Sequence, residues 1–184
     1  MIGVLALQGG FKEHIDILKI LHIPVCEIRT REDLMRENLR GLILPGGEST
    51  VMAKFIDEFG MRDMICERAS DPNFIVYGTC AGLILLAKHV TENGEISSNV
   101  TPLGLLDVDV ERNAYGRQLS SFVTDFGAFI RAPKITRVGE SVEVLQSYEG
   151  APVLVRQGNI YGGTFHPELV GNTRIHRMIF PLAL

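Results

Sequence analysis

One cysteine of this chain stands where a thiol could act as a nucleophile. Cys80 lies in Gly78-Thr79-Cys80-Ala81-Gly82, between the apolar runs Phe74 to Tyr77 and Leu83 to Ala87. This is G-x-C-x-G at a strand-to-helix junction, the thiol version of the nucleophile elbow. The elbow lifts the side chain to the carboxyl edge of a sheet, where α/β proteins bind ligands. It also sets the sulfur at a helix N-terminus, whose partial positive charge favours thiolate. A small buried core cysteine would fit the apolar surroundings as well, but would not call for a glycine two positions away on either side. Cys26, in a strand run, and Cys66, in a helix, lack such glycines and read as structural. Three scattered cysteines do not make a disulfide framework and fit a reducing cytoplasm. With no C-x-x-C or H-E-x-x-H pair in the sequence, no metal site is expected.

A nucleophilic thiol needs a base, and the base needs an orienting group. His14, His22, His89 and His176 fall in or beside predicted helices and read as surface or internally satisfied histidines. His166 instead directly follows the strand-like NIYGGTF, in Thr164-Phe165-His166-Pro167-Glu168. An extended backbone there, which Pro167 favours for His166, would project residues 166 and 168 to the same side. Glu168 would then hold the far nitrogen of the imidazole while the near one faces Cys80. Acyl transfer also needs donors for a developing oxyanion. The N–H of Ala81 is one candidate. The turn Pro45-Gly46-Gly47-Glu48-Ser49 is the source of a second, because a glycine pair can present a peptide N–H without a Cβ clash. A phosphate cradle is disfavoured, since the lysine of G-x-x-x-x-G-K-[ST] is missing.

Positioning these groups requires a sheet. Residues 2–7, 24–28, 41–44 and 74–77 are short apolar runs, as expected of strands covered on both faces. Helical spacing fills 11–22, 31–40, 49 to about 69, and 81–89. After about residue 100, strand-like segments at 105–111, 119–124, 128–131, 142–146, 152–156 and 159–165 precede a last helix near 173–180. The pattern predicts a three-layer α/β sandwich with a mostly parallel central sheet, helices on both faces, and a small antiparallel excursion in the second half. With 184 residues and no linker or repeat, residues 1–184 are read as one domain. A net charge of −4 gives no support to nucleic-acid binding. No apolar stretch approaches the ~20 residues of a membrane span. MIGVLALQGGF lacks a basic lead-in and a cleavage site, so it reads as a first core strand and not a signal peptide.

Taken together, the glycine turn, the elbow and the late His-x-Glu resemble the class I, triad-type glutamine amidotransferases. LALQGGFKEH, LILPGGEST, GTCAGLILLAK, VERNAYGRQ, FIRAP and FHPEL, in this order along the chain, narrow the resemblance to the glutaminase subunits of pyridoxal 5′-phosphate synthases. The segment between SSF and FIRAP is shorter than usual in that family. The resemblance implies a Cys80, His166, Glu168 triad, an oxyanion hole at Gly47 and Ala81, and glutamine contacts from Gly47, Glu48, Ser49, Arg112, Ile130 and Arg131. It implies hydrolysis of L-glutamine to L-glutamate and ammonia through a Cys80 γ-glutamyl thioester, with no cofactor, in the cytoplasm. The ammonia would pass to a synthase subunit in a hetero-oligomeric complex making vitamin B6, with Gln8-Gly9-Gly10 among the docking elements. A glycine-peptide oxyanion hole completed only on docking would leave the isolated chain weakly active. The competing readings are a glutaminase of another pathway, such as histidine biosynthesis, a peptidase-like thiol protein on a similar sheet, and a non-catalytic scaffold.

Overall fold

The computed structural model describes residues 1–114 and 121–181. The chain begins with β1 (Ile2–Leu5), α1 (Phe11–Ile20), β2 (Val25–Ile28), β3 (Gly41–Leu44), α2 (Ser49–Glu58), α3 (Arg62–Ala69), β4 (Ile75–Thr79) and α4 (Ala81–Leu86). It continues through β5 (Ala87–Glu92), β6 (Glu95–Ile96), β7 (Leu106–Arg112), β8 (Ser121–Val123), β9 (Ala128–Ile130) and β10 (Lys134–Val138). It closes with β11 (Glu143–Tyr148), β12 (Ala151–Gln157), β13 (Ile160–Gly163) and α5 (Thr173–Ile179).

Seven strands form the central sheet in the order β11-β12-β13-β4-β3-β1-β2. β2, β1, β3, β4 and β13 run parallel, and β12 and β11 add an antiparallel edge. The two-residue period of the strands divides their side chains between two cores. Leu5, Leu42, Leu44 and Val76 pack on one face with Met52 and Ile56 of α2, Ile65 of α3 and Leu83 of α4. Val4, Ile43 and Tyr77 pack on the other with Ile15 and Leu18 of α1 and Ile175 and Ile179 of α5. Helices thus cover both faces, as predicted. The smaller sheets are β10-β7-β5-β6 and the hairpin β8-β9.

Parallel strands send their carboxyl ends to one edge. β1 leads to Gln8–Gly10 there, β3 to Pro45–Ser49, β4 to Cys80, and β13 to His166.

The structure differs from the sequence reading in several elements, among them the short strand β6, which was unassigned. The polar stretch 31–40 holds only a 3₁₀ turn, Glu32–Met35, because its apolar anchors Leu34 and Leu39 are five apart and share no helical face. The long helix after Ser49 is two helices, parted at Gly60, whose φ is +59°. The helix after Cys80 stops at Leu86. Ala87 turns to ψ 155°, and β5 pairs in parallel with β7, burying Ala87 and Val90. Lys134–Val138, unassigned from sequence, is β10, an antiparallel partner of β7. Of the expected strand 119–124, residues 119 and 120 lie outside the described residues, as do residues 115–118 of VERNAYGRQ.

Candidate active site

The elbow explains its own glycines. Cys80 has φ 48° and ψ −101°, a costly conformation for a residue with a Cβ. It is held by Cys80 N–H donating to Gly163 O at 2.8 Å and by Cys80 O accepting from Ile84 N–H at 3.1 Å. A Cβ on Gly78 would lie 2.5 Å from the Gly82 carbonyl carbon, and one on Gly82 would collide with the Leu44 carbonyl. The bulk is stripped from both sides so that the turn can close against β3.

His166 is held by backbone and side chain. Its N–H donates to Ala128 O at 2.8 Å, and its carbonyl accepts from Ala128 N–H at 3.0 Å. This bridge ties the imidazole to β9, which carries Ile130 and leads into Arg131. His166 Nδ1 and Glu168 Oε1 are 2.7 Å apart, with Glu168 buried. The backbone reaches this geometry differently from the extended path expected. Pro167 is helical (φ −67°, ψ −29°), and Glu168 opens a 3₁₀ turn, Glu168–Val170. The Pro167 ring fixes φ in a range compatible with a turn, so the carboxylate folds back under the ring.

Burial alone would lower the His166 imidazole. The neighbouring Cys80 side chain, and then the hydrogen bond with Glu168, outweigh burial and hold it up to about 10. The sulfur nearby and the carboxylate at hydrogen-bond distance thus both favour the imidazolium form of the ring. Burial also works against the Glu168 carboxylate, but His14 and His166 keep it below its usual range.

The glycine turn is braced from β1. Gln8 Nε2 donates to Glu48 O at 3.1 Å, and Gly10 N–H donates to Gly46 O at 2.9 Å. A Cβ on Gly9 (φ +85°) would strike the Gly46 carbonyl, and one on Gly47 would strike the Gln8 amide. Gln8–Gly10 thus supports the turn from below. Glu48 caps α2, accepting from Thr50 N–H at 3.4 Å. Arg112 donates to Glu48 Oε1 at 3.2 Å, to Thr50 Oγ1 at 3.3 Å and to Glu92 Oε2 at 3.2 Å.

These groups border one cavity of about 230 Å³. Its lining includes Cys80, His166, Glu168, Gly47, Glu48, Ser49, Arg112, Ile130 and Arg131, which are all the expected site residues except Ala81. Ala81 follows Cys80 in the chain but is itself 1% exposed. The volume is below the ~300 Å³ at which drug-sized sites begin, and suits one small polar molecule better than a peptide. Arg131 has φ 44° and forms no ion pair among the described residues. Gly10, Glu13, Ile84, Asn113 and Leu169 also face the cavity and were not anticipated.

The model of the SNO glutamine amidotransferase family matches residues 4–181. The chain belongs to that family. It is 45% identical to the pyridoxal 5′-phosphate synthase subunit PdxT of Thermus thermophilus, covering 100% of this chain and 97% of that protein. The PdxT subunit of Pseudothermotoga lettingae is also 45% identical, with 99% and 95% coverage. A solved structure described as a glutamine amidotransferase superposes with a TM-score of 0.86 at 45% identity, covering 97% of this chain and 96% of that one.

Near Glu168, this SNO-family chain buries two further histidines. His14 and His176 are both 0% exposed. Their Nδ1 and Nε2 atoms are 2.8 Å apart, and His14 Nε2 lies 3.2 Å from Thr79 Oγ1. Nothing in their spacing set them apart from ordinary helix histidines; only the packing of α1 and α5 on one sheet face brings them together. Among the described residues no group of three or more His, Cys, Asp and Glu could hold a metal ion. No helix there is long and apolar enough to cross a membrane.

Proposed function

We propose that this chain, acting as one domain, hydrolyses L-glutamine to L-glutamate and ammonia, and delivers the ammonia to a pyridoxal 5′-phosphate synthase subunit. The observation that carries this reading is that Cys80, His166 and Glu168 are all buried and line one cavity sized for one small molecule, with His166 Nδ1 2.7 Å from Glu168 Oε1. The synthase partner and the vitamin B6 pathway come from the names of the PdxT relatives.

In this mechanism Cys80 Sγ attacks the side-chain amide carbon of glutamine. The carbonyl oxygen gains the electron pair and is held by the N–H groups of Ala81 and Gly47. Losing one such donor typically costs about 3 kcal/mol of barrier. The imidazolium of His166 gives its proton to the amide nitrogen, the C–N bond breaks, and ammonia leaves a γ-glutamyl thioester on Cys80. Neutral His166 then takes a proton from water as its oxygen attacks the thioester. The C–S bond breaks, glutamate departs and the sulfur is regenerated. Glu168 accepts from His166 Nδ1–H throughout, so the proton is exchanged at the other ring nitrogen.

Glutamine is zwitterionic at Cα and needs cations for its carboxylate. Arg131 stands at the cavity and has no ion partner among the described residues. Arg112 is committed to Glu48 and Glu92, so its part is to brace the Gly47–Ser49 turn against the substrate. Ile130 and Leu169 are 40% and 44% exposed beside the cavity. With Gln8-Gly9-Gly10 they offer the synthase a docking rim that closes the site.

The test is release of glutamate from L-glutamine by wild type and Cys80→Ala, each with and without the synthase subunit. Wild type should turn over, faster with the partner, and Cys80→Ala should not. Equal turnover by the two proteins would refute the reading; equal wild-type rates with and without the synthase would refute partner-dependent completion of the site.

A further inference from the structure

Glu168 has more to do than face His166. Its Oε1 already accepts from the imidazole, and His14 Nε2 stands 3.5 Å from the same oxygen, with both side chains fully buried. His14 is fixed from two directions. Thr79 Oγ1, on the residue preceding Cys80, lies against Nε2, and His176 of α5 lies against Nδ1. The Tyr77 ring meets both histidines edge-on. A carboxylate can only accept hydrogen bonds. The proton of His14 therefore belongs on Nε2, leaving Nδ1 to accept from His176 Nε2–H. That leaves His176 Nδ1 as the bare nitrogen; the Asn172 backbone is near this ring, but no hydrogen bond to Nδ1 forms among the described residues. Burial pushes His14 down despite the Glu168 charge, and pushes His176 down to about 3. Burial thus favours the neutral form of both rings, and His14 turns its Nε2–H dipole towards Glu168, where with His166 it favours the carboxylate.

Resting on the glutaminase reading above, we infer that His14 is a positioning residue for the triad: seated on His176 and Thr79, it fixes the Glu168 carboxylate so that Oε1 stays aimed at His166 Nδ1. It touches no reacting atom. A carboxylate free to swing in this space would tilt the imidazole, and small misplacements of a catalytic group cost up to about a hundredfold in rate.

Three substitutions separate this role from mere core packing, each assayed for glutaminase activity with the synthase subunit present and for thermal unfolding. His14→Gln keeps an amide N–H at the position of Nε2. His14→Asn matches Nδ1 and falls short of Glu168. His14→Leu fills the space without a donor. We expect Leu and Asn to lose roughly tenfold or more in kcat with KM for glutamine within about twofold, and Gln to recover most of that loss. Should Leu fail to fold, the Gln and Asn pair decides. Equal kcat for Gln and Asn, or a loss confined to KM, would overturn the inference. A wild type inert towards glutamine would instead remove the glutaminase reading, and this inference with it; an active wild type with unimpaired Asn and Leu variants removes the inference alone.

Discussion

Gly46 lies so close over the His166 ring that a Cβ on residue 46 would overlap Cε1 and stand 2.8 Å from Nδ1. The glycine turn and the His166 ring are therefore in direct contact, and the turn sets the height of the imidazole above the sheet edge.

Gly46→Ala should accordingly push the ring off Glu168 or off Cys80. The expected loss is on the order of a hundredfold in kcat, larger than any effect on folding. Glutamate release measured beside thermal unfolding checks it. An alanine variant with wild-type kcat would mean that the turn yields freely and does not define the ring's place.

Gly82→Ala tests the other side of the elbow. The new methyl would meet the Leu44 carbonyl, a backbone atom of a central strand. Overpacking of this kind typically costs about 1–3 kcal/mol. For a chain of this size that corresponds to a fall in Tm of roughly 2–4 °C per kcal/mol. An unchanged Tm would show that α4 and β3 are less tightly joined than the structure has them.

The charges of the triad give stability a pH dependence of known sign. His166 is raised from 6.5 to about 10 in the fold, so its stabilisation is complete below about pH 6.5 and is lost as pH rises through about 10. Glu168 is lowered from 4.5, so its contribution is present above about pH 4.5 and is lost as acid protonates it. Both are whole only between those limits, where the triad favours the folded state most. Cys80→Ala leaves the burial that lowers His166 and removes the first of the causes that raise it. Its imidazole midpoint, followed by NMR, should fall well below 10, and the alkaline loss of stability should move to lower pH with it. A midpoint that ignores the substitution would contradict the contact between sulfur and ring.

Arg112 braces the turn through Glu48 and Thr50, from a side chain only 10% exposed. Arg112→Gln should therefore loosen Gly47–Ser49 and raise KM for glutamine about tenfold, equivalent to about 1.4 kcal/mol of binding. Glu92→Gln removes only the partner that lies outside the turn and should change KM far less. Steady-state kinetics on the two variants decides; equal effects would place Arg112's role in the Glu92 pair instead.

Much of this site was legible because local chemistry and topology agreed. Gly78 and Gly82 announce the elbow, and the alternation of strands and helices puts Cys80 and His166 at the same sheet edge. What could not be read depends on packing between distant segments. No sequence rule places His14 of α1 against His176 of α5, because their meeting requires both helices to lie on the same face of the sheet. The turn at Pro167 was mistaken for extended chain: proline restrains the residue before it but permits a helical conformation at itself. The strand at Ala87–Glu92 was hidden by the leucine-rich helix before it, and only its pairing with β7 defines it.

The central claim is that Cys80 carries the glutamyl group during turnover, and the direct measurement is mass spectrometry of the chain, quenched in acid while turning over L-glutamine with the synthase subunit. The account predicts a γ-glutamyl thioester on the peptide containing Cys80, lost on treatment with hydroxylamine and missing in Cys80→Ala. Continued glutamate production with no adduct at Cys80, or an adduct at Cys26 or Cys66 instead, would contradict it.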